Sequence, residues 1–268
     1  MPTISKFPYQ DKFEQMFRFD GKVAIIAGGC GGMGSVISQG LAQLGATVVI
    51  ADHFEDKACE CADSICEAGG NAFAVGFEIT QPDSVTALVK ETTEQAKSVD
   101  ILVNCVGMHI EKPAEEYAIE DWDLVNSVNL RGAFLLSQAV GRQMIQQGKG
   151  GKQIHISSVR SQLGIRRGYI SYCATKGGMN LMVKQLATEW AKYHINVNAI
   201  APTFVRTELV KQYLEDPVFY NGLVSRIPLG RVGEPIDVAG ATIFLASAAA
   251  DFITGHVLMV DGGVTATQ

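Results

Sequence analysis

The sequence lacks any uninterrupted apolar run of the roughly 20 residues that a membrane-spanning helix needs, although 47% of its 268 residues are hydrophobic. We therefore predict no membrane span. The N-terminal stretch MPTISKFPYQDKFEQMFRFDGK carries acidic residues throughout and has no apolar central segment. This composition does not match a secretory signal peptide, and we expect no membrane partner.

Concentrated positive charge is also missing. The chain has 22 Lys and Arg residues against 28 Asp and Glu, which gives a net charge of −6. Binding to nucleic acid depends on a basic surface that neutralises phosphates. We therefore predict that nucleic acid is not a partner and that the protein acts on a small molecule.

Paired cysteines at the spacing of a structural zinc site are absent as well. The six cysteines are Cys30, Cys59, Cys61, Cys66, Cys105 and Cys173. Three of them cluster in one predicted helix without a CxxC motif, so we predict no metal site. Free thiols without a disulfide framework are typical of a reducing compartment, and we expect a cytoplasmic protein.

Short apolar stretches alternate with longer helical segments along most of the chain. Near-continuous Val, Ile and Ala strands separated by helices are typical of a parallel sheet that is covered on both faces. We therefore predict a single α/β domain, a doubly wound parallel sheet of the Rossmann type, over residues 21–268. Residues 1–20 are expected to form an N-terminal arm that packs on the body or on a neighbouring subunit. The predicted strands span residues 22–27, 46–52, 71–79, 99–104, 153–157, 195–201 and 256–260.

A glycine-rich loop, AGGCGGMG at residues 27–34, joins the first predicted strand to the first helix. Glycines let the backbone approach a pyrophosphate, whose charge then lies at the helix N-terminus. Asp52 ends the second strand, at the distance from the loop that a dinucleotide site requires. Its carboxylate can accept hydrogen bonds from the adenosine ribose and would repel a 2′-phosphate. Neither His53 nor Phe54 adds positive charge, so we predict NAD as the cofactor and regard NADP as disfavoured.

The segment YCATK places Tyr172 and Lys176 four residues apart on a predicted helix, where both side chains share one face. A lysine charge about 4 Å from a phenolate would lower the tyrosine pKa by about three units, toward neutrality. Such a tyrosine could exchange a proton with an alcohol. The alternative is a packed ring beside a solvated amine, and the pair alone does not decide between the two.

With these features together, the chain resembles the short-chain dehydrogenase/reductase family over residues 20–263. The family's TGxxxGxG pattern is matched by the loop at 27–34, with Ala27 in place of threonine, and its NNAG motif by residues 104–107. Its YxxxK motif is matched by Tyr172 and Lys176. The segment ITGHVLMVDGG is similar to the segment that closes family members.

The resemblance implies that Asn129, Ser158, Tyr172 and Lys176 form the catalytic set. Tyr172 would take the substrate proton, Ser158 would bind the reacting oxygen, and Lys176 would tune the phenol and hold the nicotinamide ribose. Asn129 would anchor a water that relays protons outward. The cofactor-binding residues that the resemblance implies are Gly28, Gly31, Gly32, Met33, Gly34, Asp52, His53, Glu78, Ile79, Asn104, Gly107, Tyr172, Lys176, Pro202, Val205 and Thr207.

A looser resemblance, carried by residues 157–178 and 201–235, leads to the branch that contains gluconate 5-dehydrogenases and polyol dehydrogenases. It implies hydride transfer between nicotinamide and a secondary alcohol or ketone of a sugar acid, carboxylate or sulfonate, or of a polyol. Family likeness also implies a homotetramer. Residues 204–225 are predicted to form a mobile lid that excludes water on closing.

The substrate side of the site is predicted to include His109, Ser158, Arg160, Tyr172 and Thr203. A planar guanidinium suits bidentate capture of a carboxylate or sulfonate, which makes Arg160 a candidate anchor. For Arg166 and Arg167 the sequence leaves three alternatives open: they face substrate, solvent or a neighbouring subunit.

Two other functions are compatible with the same fold. A ketoacyl- or carbonyl-type reductase would usually use NADPH, which Asp52 disfavours. A non-catalytic dinucleotide sensor would not need Asn129, Ser158, Tyr172 and Lys176 together. Rates measured on alcohols and ketones with both nicotinamide cofactors distinguish these alternatives.

Overall fold

The computed structural model describes residues 12, 13 and 15–267. Most of the predicted arm therefore lies outside the described residues. In its described part, Phe19 is buried in the core, whereas Phe13 and Phe17 are exposed. The backbone at Met16 accepts a hydrogen bond from the amide of Ala248, which attaches this end of the chain to the body.

Within the described residues, seven parallel strands form one sheet, in the order β3-β2-β1-β4-β5-β6-β7. All seven overlap predicted strands, and β1, β2 and β4 are buried apolar runs of the kind that a sheet covered on both faces produces. The strands are β1 Val23–Ala27, β2 Thr47–Asp52, β3 Asn71–Gly76, β4 Ile101–Asn104, β5 Gly151–Ile156, β6 Ile195–Pro202 and β7 Val257–Val260.

Helices connect the strands and cover both faces of the sheet, so the predicted doubly wound architecture is confirmed. The helices are α1 Gly32–Gln43, α2 Glu55–Glu67, α3 Pro82–Ala96, α4 Ile119–Asn126, α5 Ala133–Gln147, α6 Ile170–Trp190, α7 Lys211–Leu214, α8 Pro217–Val224 and α9 Pro235–Ala246. None of the helices in the described part of the chain is long and apolar enough to cross a bilayer.

Two apolar clusters pack on opposite sides of the sheet, since alternate residues of each strand point to opposite faces. In β1, Ala24 and Ile26 join one cluster, while Val23 and Ile25 join the other. The two layers fix the strands, and the strand ends in turn fix the positions of the loops that follow them.

The third strand is shorter than predicted. It ends at Gly76 rather than at residue 79, because the chain turns at Glu78. The amide of Glu78 donates to the Ser84 hydroxyl (2.9 Å), and its carboxylate accepts from the backbone and side chain of Thr80. These local hydrogen bonds replace the strand ladder and lead into α3.

Candidate active site

The strand order reverses between β1 and β4, and a crevice opens there beyond the carboxyl ends of the strands. Gly28 follows β1 with a φ of +74°, a conformation that favours glycine. A Cβ at this position would lie 3.2 Å from backbone atoms of Cys105 and Val106, which follow β4. The glycine loop therefore lies directly beside the turn after β4, as a dinucleotide site at a switch point requires.

The N-terminus of α1 faces this crevice. The helix begins at Gly32, and Gly31 caps it without any side-chain hydrogen bond. Its first turn contains no acidic residue. The free N–H groups and the positive end of the helix dipole fit a pyrophosphate, so the residues present suit the dinucleotide that the motif predicts.

Asp52 lies at the end of β2 and is 8% exposed. Its two carboxylate oxygens accept hydrogen bonds from the amides of Cys30 and Phe54, each at 3.3 Å. A carboxylate oxygen has two lone pairs, so both atoms keep capacity for a ribose hydroxyl. The side chain is thus held at the mouth of the glycine loop with acceptors available.

His53 and Glu78 form a pair at the rim of the crevice. Nδ1 of His53 lies 3.1 Å from the Glu78 carboxylate, and the imidazole is 67% exposed. The hydrogen bond from the Thr80 amide is the main cause that lowers the pKa of Glu78. Ile79, next to it, is buried. The Glu78 carboxylate is therefore ionised and engaged by its neighbours.

Asn104 and Asn129 shape the loop that follows β4. The Asn104 side chain accepts from the amide of Val106 (3.1 Å). The Asn129 amide group binds both the N–H (2.9 Å) and the carbonyl (2.8 Å) of Met108, and it also donates to the Thr175 hydroxyl. Asn129 is fully buried, and its side chain is committed to holding this loop.

A π-helical turn, Ser127–Gly132, separates α4 from α5 and contains Asn129. Such turns insert an extra residue into a helix and occur frequently at functional sites. No local pattern in the sequence indicates this turn. It lies where Gly107 comes close to the Asn129 side chain: a Cβ at Gly107 would be 3.7 Å from its Oδ1 atom and 3.3 Å from the Lys176 ammonium.

A cavity of about 170 Å³ lies beside the crevice. The predicted residues that the cavity brings together are Met33, Gly107, His109, Ser158, Arg160, Tyr172, Lys176, Pro202, Thr203, Val205 and Thr207. The other predicted residues do not line it. They lie in the glycine loop, at the ends of β2 and β4, in the turn after β3 and in the buried π-helical turn.

The electrostatics of the Tyr172–Lys176 pair differ from the prediction. Burial raises the pKa of Tyr172 to about 12, and a hydrogen bond with Ser158 opposes only part of this rise. The Lys176 ammonium lies 5.6 Å from the centre of the tyrosine ring and donates to the carbonyl of Ile156 (2.7 Å). The expected lowering of the tyrosine pKa is therefore wrong for this structure: burial dominates the pKa of Tyr172, and the Lys176 ammonium donates to a backbone carbonyl.

Lys176 itself is 3% exposed, and burial lowers its pKa from 10.5 to about 8. An ammonium buried this deeply is costly to the fold. Charge buried at a cavity wall indicates a functional role more often than a stabilising one.

His109 and Arg160 also line the cavity. The His109 ring packs against Tyr169 and Tyr172, with centroids 4.8 and 5.9 Å apart, and burial lowers its pKa. The Arg160 guanidinium donates to the carbonyl of Gly164 (3.0 Å). The residues found to line the cavity include no Asp or Glu, so the wall is electrically positive.

Tyr169, Met108, Phe204 and Val210 line the cavity and were not predicted. Tyr169 lies three residues before Tyr172, at the cap of α6, and this helical spacing could have indicated it. The other three lie on loops whose course no local pattern encodes.

A family model described as "Enoyl-(Acyl carrier protein) reductase" matches residues 28–265. The chain is 36% identical to 5-keto-D-gluconate 5-reductase of Escherichia coli (strain K12), covering 93% of this chain and 97% of that protein. It is 37% identical to an NAD-dependent glycerol dehydrogenase of Listeria innocua, covering 94% and 97%. A gluconate 5-dehydrogenase from Burkholderia cenocepacia, solved in complex with NADP and tartrate, superposes with a TM-score of 0.90 at 39% identity, covering 94% and 98%.

The fold, the crevice and these relatives define an NAD(P)-dependent oxidoreductase that acts on alcohol groups. The motifs that suggested this class lie around the crevice and the cavity. The chain belongs to the short-chain dehydrogenase/reductase family.

Proposed function

We propose that this enzyme transfers a hydride between NAD and a secondary alcohol or ketone of a sugar acid. The observation that carries the proposal is a cavity that is lined by Ser158, Tyr172, Lys176 and Arg160 and whose lining residues include no Asp or Glu. An anionic substrate group satisfies this positive wall, whereas an uncharged polyol leaves it uncompensated. The names of the Escherichia coli and Burkholderia relatives, and the tartrate bound by the latter, agree with this chemistry.

A bound nicotinamide supplies the hydride acceptor in the oxidation. Tyr172 takes the hydroxyl proton of the substrate, and Ser158 hydrogen-bonds the same oxygen as its charge develops. In this proposal the Lys176 ammonium, 5.6 Å from the centre of the Tyr172 ring, favours the phenolate against the burial that raises the tyrosine pKa. Asn129 acts through the loop at Met108, which it holds by two hydrogen bonds, and so keeps the cavity wall in place.

The anionic specificity can be tested on Arg160. We expect Arg160→Met to raise KM for gluconate about 30-fold, because a charge-assisted hydrogen bond contributes about 2 kcal/mol. Rates on glycerol and other polyols, followed by nicotinamide absorbance, should change little. Arg160→Lys keeps the charge but not the planar guanidinium, and its KM for gluconate should lie between those of the wild type and Arg160→Met.

The panel for this test contains gluconate, a sulfonated sugar acid, polyols and an acetoacetyl thioester. Equal losses on gluconate and on polyols would contradict the proposed role of Arg160. Preferential turnover of the thioester would instead favour the acyl-type reductase. Inactivity with every alcohol and ketone despite tight NAD binding would favour a sensor.

NAD rather than NADP is proposed because the Asp52 carboxylate stands at the mouth of the glycine loop and the two residues after it carry no Lys or Arg. The NADP in the Burkholderia structure and the NAD dependence of the Listeria enzyme indicate that relatives differ in this property. The choice therefore depends on the residues around the end of β2 in this chain.

We expect Asp52→Ala to lower the ratio of kcat/KM for NAD to that for NADP about 100-fold, because it removes a charged acceptor for the ribose and a repulsive charge for the phosphate. Initial rates with both cofactors measure this ratio. Asp56→Ala, in the exposed first turn of α2, is the matched control and should leave it unchanged. An unaltered ratio in Asp52→Ala would mean that another group selects the cofactor.

We also propose that residues 21–268 form one domain and that the protein assembles as a homotetramer. Large apolar side chains are exposed along α4, α5 and α6, which supports burial by other copies: Ile119, Leu124, Phe134, Ile170 and Leu181. The free thiols of the six cysteines support a cytoplasmic location. A monomeric mass in sedimentation equilibrium would contradict the assembly.

A further inference from the structure

The lid predicted over residues 204–225 belongs to a longer segment, residues 206–232, which we call the lid from here on and which leaves and rejoins the body at one point. Val205 pairs with Gly233 in a short parallel bridge. The amide of Gly233 donates to Phe204 (2.9 Å), and the amide of Arg206 donates back to Gly233 (2.8 Å). The lid therefore has a closed base, and its position over the cavity depends on contacts made further along it.

The middle of the lid, residues 208–226, contains α7 and α8. The hydrogen bonds found for its described residues stay within the lid. Val210 lines the cavity, so this segment forms part of the substrate wall. Phe219 packs on Phe204 with ring centres 5.8 Å apart, and further along the lid the Leu229 amide donates to the carbonyl of Gly262 (3.1 Å). A contact from the loop between β5 and α6 adds to these.

Arg167, in the loop between β5 and α6, supplies such a contact. Its guanidinium carbon lies 5.0 Å from the ring centre of Tyr213 and 5.3 Å from that of Phe219. The two rings pack against each other at 5.8 Å, one from each lid helix. A guanidinium within about 6 Å of an aromatic face is attracted to it.

The other side of Arg167 is fixed to the body. Its Nε atom donates to the Glu111 carboxylate at 2.7 Å. Beside this pair, the amide of Lys112 donates to the carbonyl of Gly168 (3.0 Å). A Cβ at Gly168 would collide with the Lys112 backbone, so only glycine permits this approach. The two loops are thus joined through their backbones, and Arg167 is directed from Glu111 toward the lid.

Arg166 provides a contrast, because it is exposed and has no ion pair within the described residues. Neither Arg166 nor Arg167 is among the residues that line the cavity.

We propose that Arg167 is a positioning residue that latches the lid over the cavity, with Glu111 on one side and the Tyr213–Phe219 pair on the other. Loss of the latch leaves the lid attached at its base but open above the substrate. Substrate then binds more weakly, while the reacting groups on β5 and α6 stay in place. Only the kinetic part of this inference rests on the proposed function.

Trypsin cleavage after Lys211 measures lid opening without any turnover. Lys211 begins α7, and a protease reaches its peptide bond when the lid leaves the body. We expect Arg167→Gln to raise the cleavage rate about tenfold, since it removes an ion pair and two ring contacts. Arg166→Gln is the matched control and should cleave at the wild-type rate.

Phe219→Leu removes the ring from the lid side and leaves the loop at Arg167 untouched. A latch predicts that it also raises cleavage after Lys211, and that combining it with Arg167→Gln adds little more. Arg167→Lys, which keeps the charge, should restore part of the protection. If Arg167→Gln merely unfolded its own loop, Phe219→Leu would remain protected, and that result overturns the proposal.

The kinetic readout is KM for gluconate, which should rise about tenfold in Arg167→Gln with kcat and NAD affinity nearly unchanged. A fall in kcat with KM unchanged would contradict the latch. If gluconate proves not to be a substrate, the proposed function fails but the cleavage experiment still decides the latch. An unchanged cleavage rate in Arg167→Gln overturns the latch whatever the substrate.

Discussion

Replacing Tyr172 with phenylalanine is expected to lower kcat about 1,000-fold, because general acid–base catalysis by a positioned side chain contributes a factor of this order. The ring stays in place, packed near His109 and Tyr169, so the shape of the cavity should be preserved. Binding of NAD, measured by titration calorimetry, should change by no more than a few-fold. The substitution removes only the hydroxyl group, with its exchangeable proton and its hydrogen bond to Ser158.

Tyr169→Phe is the appropriate comparison, since it removes a hydroxyl from a ring in the same cavity. We expect only a small loss of turnover in this variant. If Tyr172→Phe retained turnover close to that of the wild type, the acid–base role would belong to another residue, and the proposed mechanism would be wrong.

Replacing Lys176 with methionine should reduce turnover about 1,000-fold and yet make the protein more stable at neutral pH. The lysine pKa of about 8 in the fold, against 10.5 ordinarily, means that burial of its charge costs about 3 kcal/mol. Methionine removes this cost. It also leaves the Ile156 carbonyl without its hydrogen-bond donor, which destabilises the fold by about 1 kcal/mol. The net gain of about 2 kcal/mol corresponds to a rise of about 5 °C in Tm.

The stability gained in Lys176→Met is expected to depend on pH. Below pH 8 the lysine is protonated in both folded and unfolded chains, and the full cost is present. Between pH 8 and 10.5 only the unfolded chain holds the proton, so wild-type stability rises with pH from this group. The difference in Tm between variant and wild type should therefore shrink from pH 7 to pH 10. Lys184→Met, at an exposed position of the same helix, should show neither effect.

A stability gain that persisted at pH 10 would mean that the buried charge is not its source. A loss of stability at pH 7 would show that the hydrogen bond to Ile156 outweighs the burial of the ammonium. Circular dichroism melts of both lysine variants at the two pH values distinguish these outcomes.

The strands and the glycine loop could be predicted from the sequence because local pattern determines them. An apolar run such as VAIIA forms a buried strand wherever helices cover both faces, and β1 begins and ends within one residue of its predicted limits. The third strand was predicted too long because Ser84 and Thr80, which turn the chain at Glu78, act through side-chain hydrogen bonds that no period in the sequence reveals.

The chemistry of the cavity could be predicted only in part. The spacing of Tyr172 and Lys176 correctly placed both side chains in one cavity. It did not reveal that the ammonium donates to Ile156 or that burial dominates the tyrosine pKa, because both depend on β5 and on loops distant in sequence. The role of Arg167 was open for the same reason, since Glu111, Tyr213 and Phe219 come from three separate segments.

The bridge between Val205 and Gly233 has a consequence for how new specificities can arise in this scaffold. Since the chain departs and returns at one paired position, exchange of α7 and α8 need not disturb the sheet, provided that Thr207, which packs on Gly32 of the glycine loop, and Leu229, which donates to Gly262, are kept. The part of the segment that contains α7 and α8 can therefore be exchanged as a unit. Grafting the corresponding stretch of a relative with another substrate onto this bridge offers a direct route to redesigned enzymes that keep the same hydride-transfer machinery.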